Sequence, residues 1–252
     1  MKVVLFGSGN VASVLGRLLL SKHHSIVQVV SRNAAHARVL ADELHCDFTD
    51  GQGMINRAAD IYIIAISDSA LYELDKSFNL EKALVVHTAG SIPGHVLKGI
   101  SMNYGVLYPL QSLRKEMENA IEIPFLVDGN STESLTLIED LARTISPHVT
   151  VAKDEERLKL HLAAVIVNNF TNHLYALAES FCEKEQVDFN LLKPLIRETA
   201  NRISSTSPAL VQTGPALRND MLTIEKHLRL LKDYPRLKNF YLKITASIME
   251  KE

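Results

Sequence analysis

A glycine turn at the start of the chain constrains the fold more than any other feature. Val3 to Phe6 is a short apolar run with β-branched members, which predicts a buried strand of a parallel sheet. It leads into Gly7-Ser8-Gly9-Asn10-Val11-Ala12 and then into a helical pattern. In this arrangement the first glycine allows a tight turn, the second lets a pyrophosphate approach, and a small third residue allows close packing. We therefore expect a dinucleotide to bind at Gly7, Ser8, Gly9, Asn10 and Val11, against the alternative of a plain strand-to-helix turn.

Alternating strand and helix patterns extend this prediction over the first 150 or so residues. Residues 61–66 are nearly all apolar, as in a strand buried on both faces of a parallel sheet. The fold class is therefore α/β, with a doubly wound and mostly parallel sheet. The predicted strands are 3–6, 26–30, 46–48, 61–66, 83–87, 106–108, 125–127 and 149–151, and the predicted helices after the first are 34–44, 51–58, 70–77 and 131–145.

The pattern becomes entirely helical from Asp154 onward. Residues 155–184 predict one helix of roughly 45 Å, and because its middle is apolar nearly all round we expect it to be buried centrally. Further helices are predicted at 190–204, 220–231 and 235–249. We therefore expect two domains, a cofactor-binding domain at 1–152 and a helical substrate and dimerisation domain at 153–252.

Composition narrows the classes of partner. The formal net charge is −2 and no long basic run is present, which argues against a nucleic-acid partner and favours a small-molecule substrate. Cys46 and Cys182 lack a metal-ligand or redox spacing, so we predict reduced thiols and no metal site. No apolar run approaches the roughly 20 residues of a membrane span, and the N-terminal pattern is a strand and not a signal peptide. We expect a cytoplasmic protein without a membrane partner.

The end of the second strand indicates which nicotinamide cofactor binds. An NAD site normally places an acidic residue there for the ribose hydroxyls, whereas this chain has Ser31 and Arg32. A hydroxyl and a guanidinium suit a 2′-phosphate, because the planar fork of arginine pairs with phosphate oxygens. We therefore predict NADP as the cofactor. The alternative is that Arg32 is only the first exposed charge of the next helix.

Polar residues also follow the later strands, at the edge of the sheet where ligands bind in open α/β folds. Ser67, His87 and Gln111 are expected to border the nicotinamide, and we assign Ser67 and His87 to the cofactor site. A histidine that ends a buried strand is more often a satisfied structural group, and that alternative stays open for His87.

The helical part supplies candidates for the substrate. His161 and Asn168 fall near one face of the long helix, and Arg218, Asp220 and His227 follow a turn-rich segment. We expect Arg218 to hold a substrate anion and His161 or His227 to donate a proton, since histidine titrates near neutrality. The alternatives are hydrogen bonds between helices and, for Asp220, a helix N-cap.

Several of these segments together resemble the NADP oxidoreductases that join a Rossmann domain to a helical domain of unassigned function. That family belongs to the superfamily with 6-phosphogluconate dehydrogenase-like helical domains, which includes pyrroline-5-carboxylate reductase and deazaflavin-dependent NADP reductases. The resemblance covers nearly the whole chain. It depends on Gly7-Ser8-Gly9-Asn10-Val11-Ala12, His87-Thr88-Ala89-Gly90, Tyr108-Pro109-Leu110-Gln111-Ser112, His161-Leu162-Ala163-Ala164-Val165, and the segment from Thr213-Gly214-Pro215 through Arg218 and Asp220 to His227.

The resemblance implies an NADP-dependent oxidoreductase that transfers a hydride to or from a small carbonyl or imine substrate in the interdomain cleft. It also implies a homodimer formed through the C-terminal helices. Three departures stand out. Many relatives have His-Pro-Leu where this chain has Tyr108-Pro109-Leu110, and Arg-Gly-Asp where it has Arg218-Asn219-Asp220. The superfamily's Lys-x-x-x-Asn pair is absent, with His161 and Val165 at that spacing. A non-catalytic NADP-binding sensor or scaffold is therefore the alternative function.

Overall fold

A computed structural model of the protein describes residues 1–51, 53–74, 79–117 and 122–250. The chain divides into two compact units, Met1–Asn168 and Asn169–Glu252. The domain boundary near residue 152 stays a prediction. Within the described ranges, no helix is long and apolar enough to cross a membrane, and no group of three potential ligand side chains is placed to hold a metal ion. Cys46 and Cys182 are both free thiols.

An eight-stranded sheet forms the centre of the first unit, with strand order β3-β2-β1-β4-β5-β6-β7-β8. Neighbouring strands are parallel except for the antiparallel pair of β6 and β7. The order reverses between β1 and β4, which is where ligands bind in doubly wound sheets. The predicted doubly wound, mostly parallel sheet is confirmed. The strands are β1 (Lys2–Phe6), β2 (Ser25–Val30), β3 (Asp47–Thr49), β4 (Ile61–Ile64), β5 (Leu84–His87), β6 (Asn103–Pro109), β7 (Phe125–Gly129) and β8 (Val149–Val151).

Helices cover the sheet, and the two largest apolar clusters lie on its two faces. One cluster contains Leu5, Leu15 and Phe125, and the other contains Phe6, Tyr62 and Leu97. Because alternate residues of β1 enter opposite clusters, every residue from Val3 to Phe6 is buried, as the apolar run predicts. The helical segments of this unit are α1 (Asn10–Ser21), α2 (Ala34–Leu44), α3 (Asp68–Tyr72), a 3₁₀ turn (Gly94–Leu97), α4 (Thr132–Ile145) and α5 (Asp154–Ala164).

The helix predicted for residues 51–58 is wrong over the described residues, which form an irregular loop. Buried Gln28 on β2 donates to the Met54 carbonyl oxygen at 3.1 Å and accepts from the Asn56 N–H at 2.8 Å. The Tyr62 hydroxyl donates to the Asn56 carbonyl oxygen at 2.8 Å. Side chains from two strands therefore take the backbone groups that a helix would pair internally. Gln52 lies outside the described residues.

The helix predicted for residues 70–77 begins earlier, as α3 (Asp68–Tyr72), and residues 75–78 lie outside the described part of the chain. Ser67 occupies the N-cap position of α3, but its hydroxyl is 3.3 Å from the Ser69 hydroxyl and makes no capping hydrogen bond to the backbone. Ser131, by contrast, caps α4 by accepting from the Ser134 N–H.

The long helix predicted for 155–184 is helical throughout but not α-helical throughout. A π-helical segment, Val165–Phe170, separates α5 from α6 (Thr171–Lys184). Hydrogen bonds in a π segment run from i to i+5, so the 3.6-residue spacing that placed Asn168 on the His161 face does not hold beyond Val165. The remaining helical segments are Phe189–Leu192 (3₁₀), α7 (Lys193–Ile203), Pro208–Val211 (3₁₀), α8 (Met221–Leu230), Leu231–Asp233 (3₁₀) and α9 (Pro235–Met249).

The expected central burial of this helix is also wrong for the chain taken alone. Leu162 is 59% exposed, Val167 71% and Phe170 58%. The apolar side chains that gave the prediction are present, but the described residues of this chain leave them exposed. An apolar helix surface of this kind is typical of an interaction site.

Candidate functional site

The glycine turn after β1 has the geometry that a nucleotide phosphate needs. Gly7 has a φ of +112°, and a Cβ there would lie 2.1 Å from the Ala65 carbonyl oxygen. Gly9 is the N-cap of α1, and a Cβ there would meet no atom within 4 Å. The first turn of α1 contains no acidic residue, and its leading N–H groups have no acceptor within the helix. The turn therefore leaves open space in front of a helix N-terminus, which favours an anion.

The connection after β6 is held against the start of α1. The Lys115 N–H donates to Asn10 Oδ1 at 3.3 Å, and Arg17 Nη2 donates to the Lys115 carbonyl oxygen at 2.7 Å. The side-chain oxygen of Asn10 is therefore engaged by the protein itself. Its backbone N–H is the group that this geometry offers to a phosphate.

Ser31 and Arg32 follow β2 beside the glycine turn. The Ser31 hydroxyl lies 2.9 Å from the Ser8 hydroxyl, so the two loops that would flank a ribose are hydrogen-bonded to each other. Arg32 is exposed, and its guanidinium forms no ion pair with any residue that the structure describes. The residues present fit a dinucleotide with a 2′-phosphate, because the groove has a helix N-terminus and a free guanidinium and no carboxylate after β2.

Polar side chains converge at the carboxyl ends of β4, β5 and β6. The Tyr108 hydroxyl lies 2.9 Å from His161 Nδ1, and the two rings are edge-on with centroids 5.9 Å apart. Gly90 makes this approach possible, because a Cβ there would lie 2.6 Å from His161 Nδ1 and 2.7 Å from Tyr108 Cζ. The Ser91 hydroxyl donates to Asp68 Oδ2 at 2.5 Å. Four elements of the first unit thus contribute to one polar cluster.

A buried arginine holds the loop after β5 in place. Arg157 on α5 is 1% exposed, and its Nη2 donates to the Ile92 carbonyl oxygen at 2.5 Å and to Asp154 Oδ1 at 2.7 Å. Asp154 also accepts from the Gly94 N–H at 3.0 Å. Partial burial favours a higher pKa for Asp154, but these hydrogen bonds outweigh it and hold the pKa below its ordinary value. The pair fixes the loop that carries Gly90 and Ser91.

His87 at the end of β5 is completely buried. Burial chiefly, and secondarily the Arg157 charge, lowers the pKa of His87 from about 6.5 to about 4. The neutral ring accepts from the Ala89 N–H at Nδ1, at 3.2 Å, while Nε2 has no hydrogen-bond partner among the described residues. His87 is therefore uncharged at neutral pH and inaccessible, which favours its structural alternative over contact with the nicotinamide.

The second unit contains three of the other predicted substrate residues, Arg218, Asp220 and His227. Asp220 caps α8, accepting from the Thr223 N–H at 3.1 Å and the Thr223 hydroxyl at 2.7 Å, and these bonds lower its pKa. His227 Nδ1 lies 2.9 Å from the Tyr241 hydroxyl. Arg218 is exposed, as is Asn168 in the π segment of the chain. Asp220 and His227 thus each have a partner within their own unit, and their roles toward a substrate stay predictions.

Sequence reasoning did not select Asp68, Tyr108 or Arg157 as site residues. For Tyr108 a signal was present, since it ends a buried strand at the edge of the sheet where ligands bind. For Arg157 no periodicity could reveal the role, because a charged residue in the first turns of a helix ordinarily faces solvent. Only the tertiary contacts with the loop after β5 show why it is buried.

Comparison with known proteins agrees with this architecture. Residues 2–90 match the family described as "NADP oxidoreductase coenzyme F420-dependent", and residues 123–248 match "Domain of unknown function (DUF2520)". No curated protein matches the sequence.

Several solved structures are similar to this chain. A Bacteroides fragilis protein, BF3122, provisionally named an NADP oxidoreductase, is 41% identical with a TM-score of 0.93, over 99% of this chain and 98% of that chain. Protein TM1727 of Thermotoga maritima is 22% identical with a TM-score of 0.80, over 98% and 97%. A reductive aminase from Aspergillus terreus, in complex with NADPH and ethyl-5-oxohexanoate, shares the fold at 14% identity and a TM-score of 0.71, over 98% and 92%.

The first of these matches spans nearly the full length of both chains, and the DUF2520 match covers half of this one. The glycine turn and most of the doubly wound sheet fall in the match over residues 2–90, and the helical C-terminal part falls in the DUF2520 match. The chain belongs to the family of NADP oxidoreductases in which a Rossmann-like domain precedes a DUF2520 domain.

Proposed function

We propose that the protein is an NADP-dependent oxidoreductase that reduces the C=O or C=N group of a small molecule. One observation carries the proposal: a glycine turn with open space before a helix N-terminus and a cluster of polar side chains around Tyr108 and His161 occupy the same edge of one sheet. When bound, the nicotinamide supplies the hydride chemistry. The protein's own task is to hold the cofactor, orient the substrate and provide a proton.

Four segments of the first unit are proposed to hold the cofactor. The backbone of Gly7, Ser8, Gly9, Asn10 and Val11 faces the pyrophosphate, and Ser31 and Arg32 face the ribose phosphate, with Ser67 and His87 assigned to the nicotinamide end. The free guanidinium of Arg32 supports NADP over NAD. For His87 the proposal is limited to support of the loop, since its ring is buried.

The proton donor proposed from the sequence is His161 or His227, with Asn168, Arg218 and Asp220 as substrate-binding residues. Support for His161 is the stronger of the two, because its Nδ1 lies in the polar cluster at the sheet edge. The reductive aminase of similar fold is named with a keto ester, which supports including ketones in a substrate panel.

The test of this function combines binding with turnover. Calorimetric titration of the protein with NADPH and NADH measures cofactor affinity. Loss of NADPH absorbance is then followed with ketones, keto acids and cyclic imines as substrates. We expect NADPH binding and turnover with at least one of these groups. Tight NADPH binding without turnover on any of them would favour the alternative, a non-catalytic NADP-binding sensor or scaffold, for which the missing Lys-x-x-x-Asn pair is the supporting observation.

The description of the N-terminal family adds a second candidate, coenzyme F420 as the hydride partner of NADP. The NADPH oxidation assay tests this candidate when oxidised F420 replaces the carbonyl or imine substrate. Reduction of F420 by NADPH at a rate that exceeds the rates for all organic substrates would identify this reaction as the function.

We also propose that the protein works in the cytoplasm as a homodimer, formed mainly by residues 153–250. Free Cys46 and Cys182 are in keeping with a reducing compartment. The dimer is supported by large apolar side chains on the helices of this region that the described residues leave exposed: Leu162, Val167, Phe170, Leu191, Leu195, Leu210 and Leu222.

A further inference from the structure

Tyr108 lies at the carboxyl edge of the sheet, where ligands bind in open α/β folds. It lies one residue before the end of β6, next to β5, and 9% of its surface remains exposed. Its ring packs over Gly90, where even a methyl group would collide with it. The loop after β5 therefore keeps a residue without a side chain at the point where the Tyr108 ring leaves the sheet.

His161 approaches the same hydroxyl from α5. Its Nδ1 lies 2.9 Å from Tyr108 Oη, and the ring is only partly buried. One end of the imidazole thus contacts the phenol while the ring retains access to solvent. A neutral imidazole can give a proton at one nitrogen and take one at the other, so this arrangement can resupply a proton to the tyrosine.

The surroundings of the phenol favour its protonated form. Burial chiefly, and then the Asp68 carboxylate, raises the pKa of Tyr108, while Arg157 acts in the opposite direction. A phenol of this kind can protonate an alkoxide, which is a much stronger base than phenolate. It cannot protonate an imine before reduction, because an imine is a weaker base than phenolate. The environment of Tyr108 therefore suits a carbonyl substrate better than an imine.

We propose that Tyr108 is the catalytic proton donor to the oxygen of a carbonyl substrate, and that His161 is a positioning residue that returns the proton to Tyr108. The inference rests on the proposed oxidoreductase function and deepens it. As the carbonyl carbon gains a hydride, the O–H bond of Tyr108 breaks and the new alcohol O–H forms. The phenolate oxygen then takes the Nδ1 proton of His161, and Nε2 takes one from water. Proton exchange between the partly exposed ring and solvent restores the Nδ1–H tautomer before the next turnover. The sum is one ketone or aldehyde, one NADPH and one proton giving one alcohol and NADP⁺.

The decisive comparison is between two replacements of Tyr108. Phenylalanine keeps the shape of the ring and removes the proton, whereas histidine changes the shape and keeps a proton donor. We expect Tyr108→Phe to lower kcat about 100-fold with the KM and the NADPH affinity nearly unchanged, and Tyr108→His to recover part of that loss. The matched control is Tyr104→Phe on the same strand, with kcat unchanged. A structural role predicts the reverse order, with Tyr108→Phe more active than Tyr108→His, and that order would overturn the proposal.

A second measurement does not depend on turnover. The relay requires the Nδ1–H tautomer of His161, which nitrogen NMR of the ring reports directly, with the His161→Gln spectrum for assignment. A neutral His161 protonated at Nε2 would overturn the proposal. Its Nδ1 would then accept a hydrogen bond from the Tyr108 hydroxyl, and that proton would not face the substrate. In turnover, His161→Gln should lower kcat and leave KM unchanged, while His148→Gln, an exposed control, should change neither.

These outcomes distinguish failure of the proposed Tyr108 role from failure of the proposed oxidoreductase function. Wild-type turnover of ketones with equal activity in Tyr108→Phe and Tyr104→Phe overturns the role of Tyr108 and leaves the oxidoreductase function in place. Turnover of cyclic imines with no activity on any ketone or aldehyde overturns the carbonyl assignment. Absence of NADPH binding in the wild-type protein overturns the function itself.

Discussion

Gly7 and Ala65 approach each other so closely that the Gly7 position excludes every side chain. A Cβ would lie 2.1 Å from the Ala65 carbonyl oxygen, and the φ of +112° is itself unfavourable for any other residue. We expect Gly7→Ala to lower the free energy of unfolding by on the order of 3 kcal/mol. Thermal and denaturant unfolding measure the effect.

Gly9→Ala is the matched substitution two residues later. Its Cβ would meet no atom within 4 Å, so we expect a stability loss of about 1 kcal/mol or less, typical of alanine at an N-cap. The methyl group would nevertheless occupy the space assigned to the pyrophosphate. Calorimetry should therefore show a large loss of NADPH affinity in a well-folded protein, and an unchanged affinity would argue against phosphate binding at this turn.

The cofactor preference should depend on Arg32. We expect NADP(H) to bind at least about tenfold more tightly than NAD(H), because a charged pair with the 2′-phosphate contributes on the order of 1.5–3 kcal/mol. Arg32→Asp should reduce or reverse the ratio of NADP(H) affinity to NAD(H) affinity. Arg38→Asp, on the exposed surface of α2, is the control and should leave it unchanged. Equal affinities of the unmodified protein for both cofactors would refute the preference.

Buried His87 should make the protein less stable in mild acid. Its pKa is about 4 when folded and about 6.5 when unfolded, so the unfolded chain binds the proton first as the pH falls. The stability that its neutral form contributes is complete above about pH 6.5 and is lost toward pH 4, a difference on the order of 3 kcal/mol. Denaturant unfolding across this range should show the slope in the wild type. The slope should be weaker in His87→Asn, whose amide can still accept from the Ala89 N–H.

The proposed dimer has a charge-insertion test. Sedimentation of the wild-type protein at micromolar concentration should show about twice the 28.0 kDa mass of one chain. Val167→Glu places a charge among the exposed apolar residues of the long helix and should shift the species to a monomer. Val39 on α2 is similarly exposed, and Val39→Glu should leave the dimer intact. A wild-type monomer would contradict the proposal.

Asp220 admits two roles that one pair of variants separates. As an N-cap it accepts from the Thr223 N–H, a function that asparagine can replace and alanine cannot. If capping is its only role, Asp220→Ala should lower the melting temperature and Asp220→Asn should change it little, with turnover intact in both variants. Loss of turnover in a stable Asp220→Asn variant would instead indicate that the carboxylate acts on the substrate.

The strands were predictable because a parallel sheet covered on both sides requires apolar runs. Residues 61–66 and 83–87 have such runs, and the strands lie there as β4 and β5. The loop after β3 was not predictable, because the groups that hold it come from Gln28 and Tyr62 on other strands. Local propensity carries no information about such tertiary hydrogen bonds.

The candidate site divides in the same way. The glycine turn has a sequence signature because the backbone geometry at Gly7 demands a residue without a side chain. Gly90 has an equally strict requirement, but it comes from Tyr108 and His161, far away in the chain. The burial of Arg157 likewise depends on the carbonyl of Ile92. The roles of residues such as Gly90 and Arg157 can therefore be identified only from the tertiary structure.

The π segment at Val165–Phe170 also affects how relatives are aligned. A wider turn holds one more residue than an α turn of the same length, as a one-residue insertion would. A homologue that is α-helical throughout would therefore need a single gap here, and an ungapped alignment would pair each side chain after Phe170 with the wrong face of its counterpart. Which of Asn168 and Asn169 corresponds to an amide in another family member is thus a question for superposition of coordinates, and sequence spacing alone gives the wrong answer.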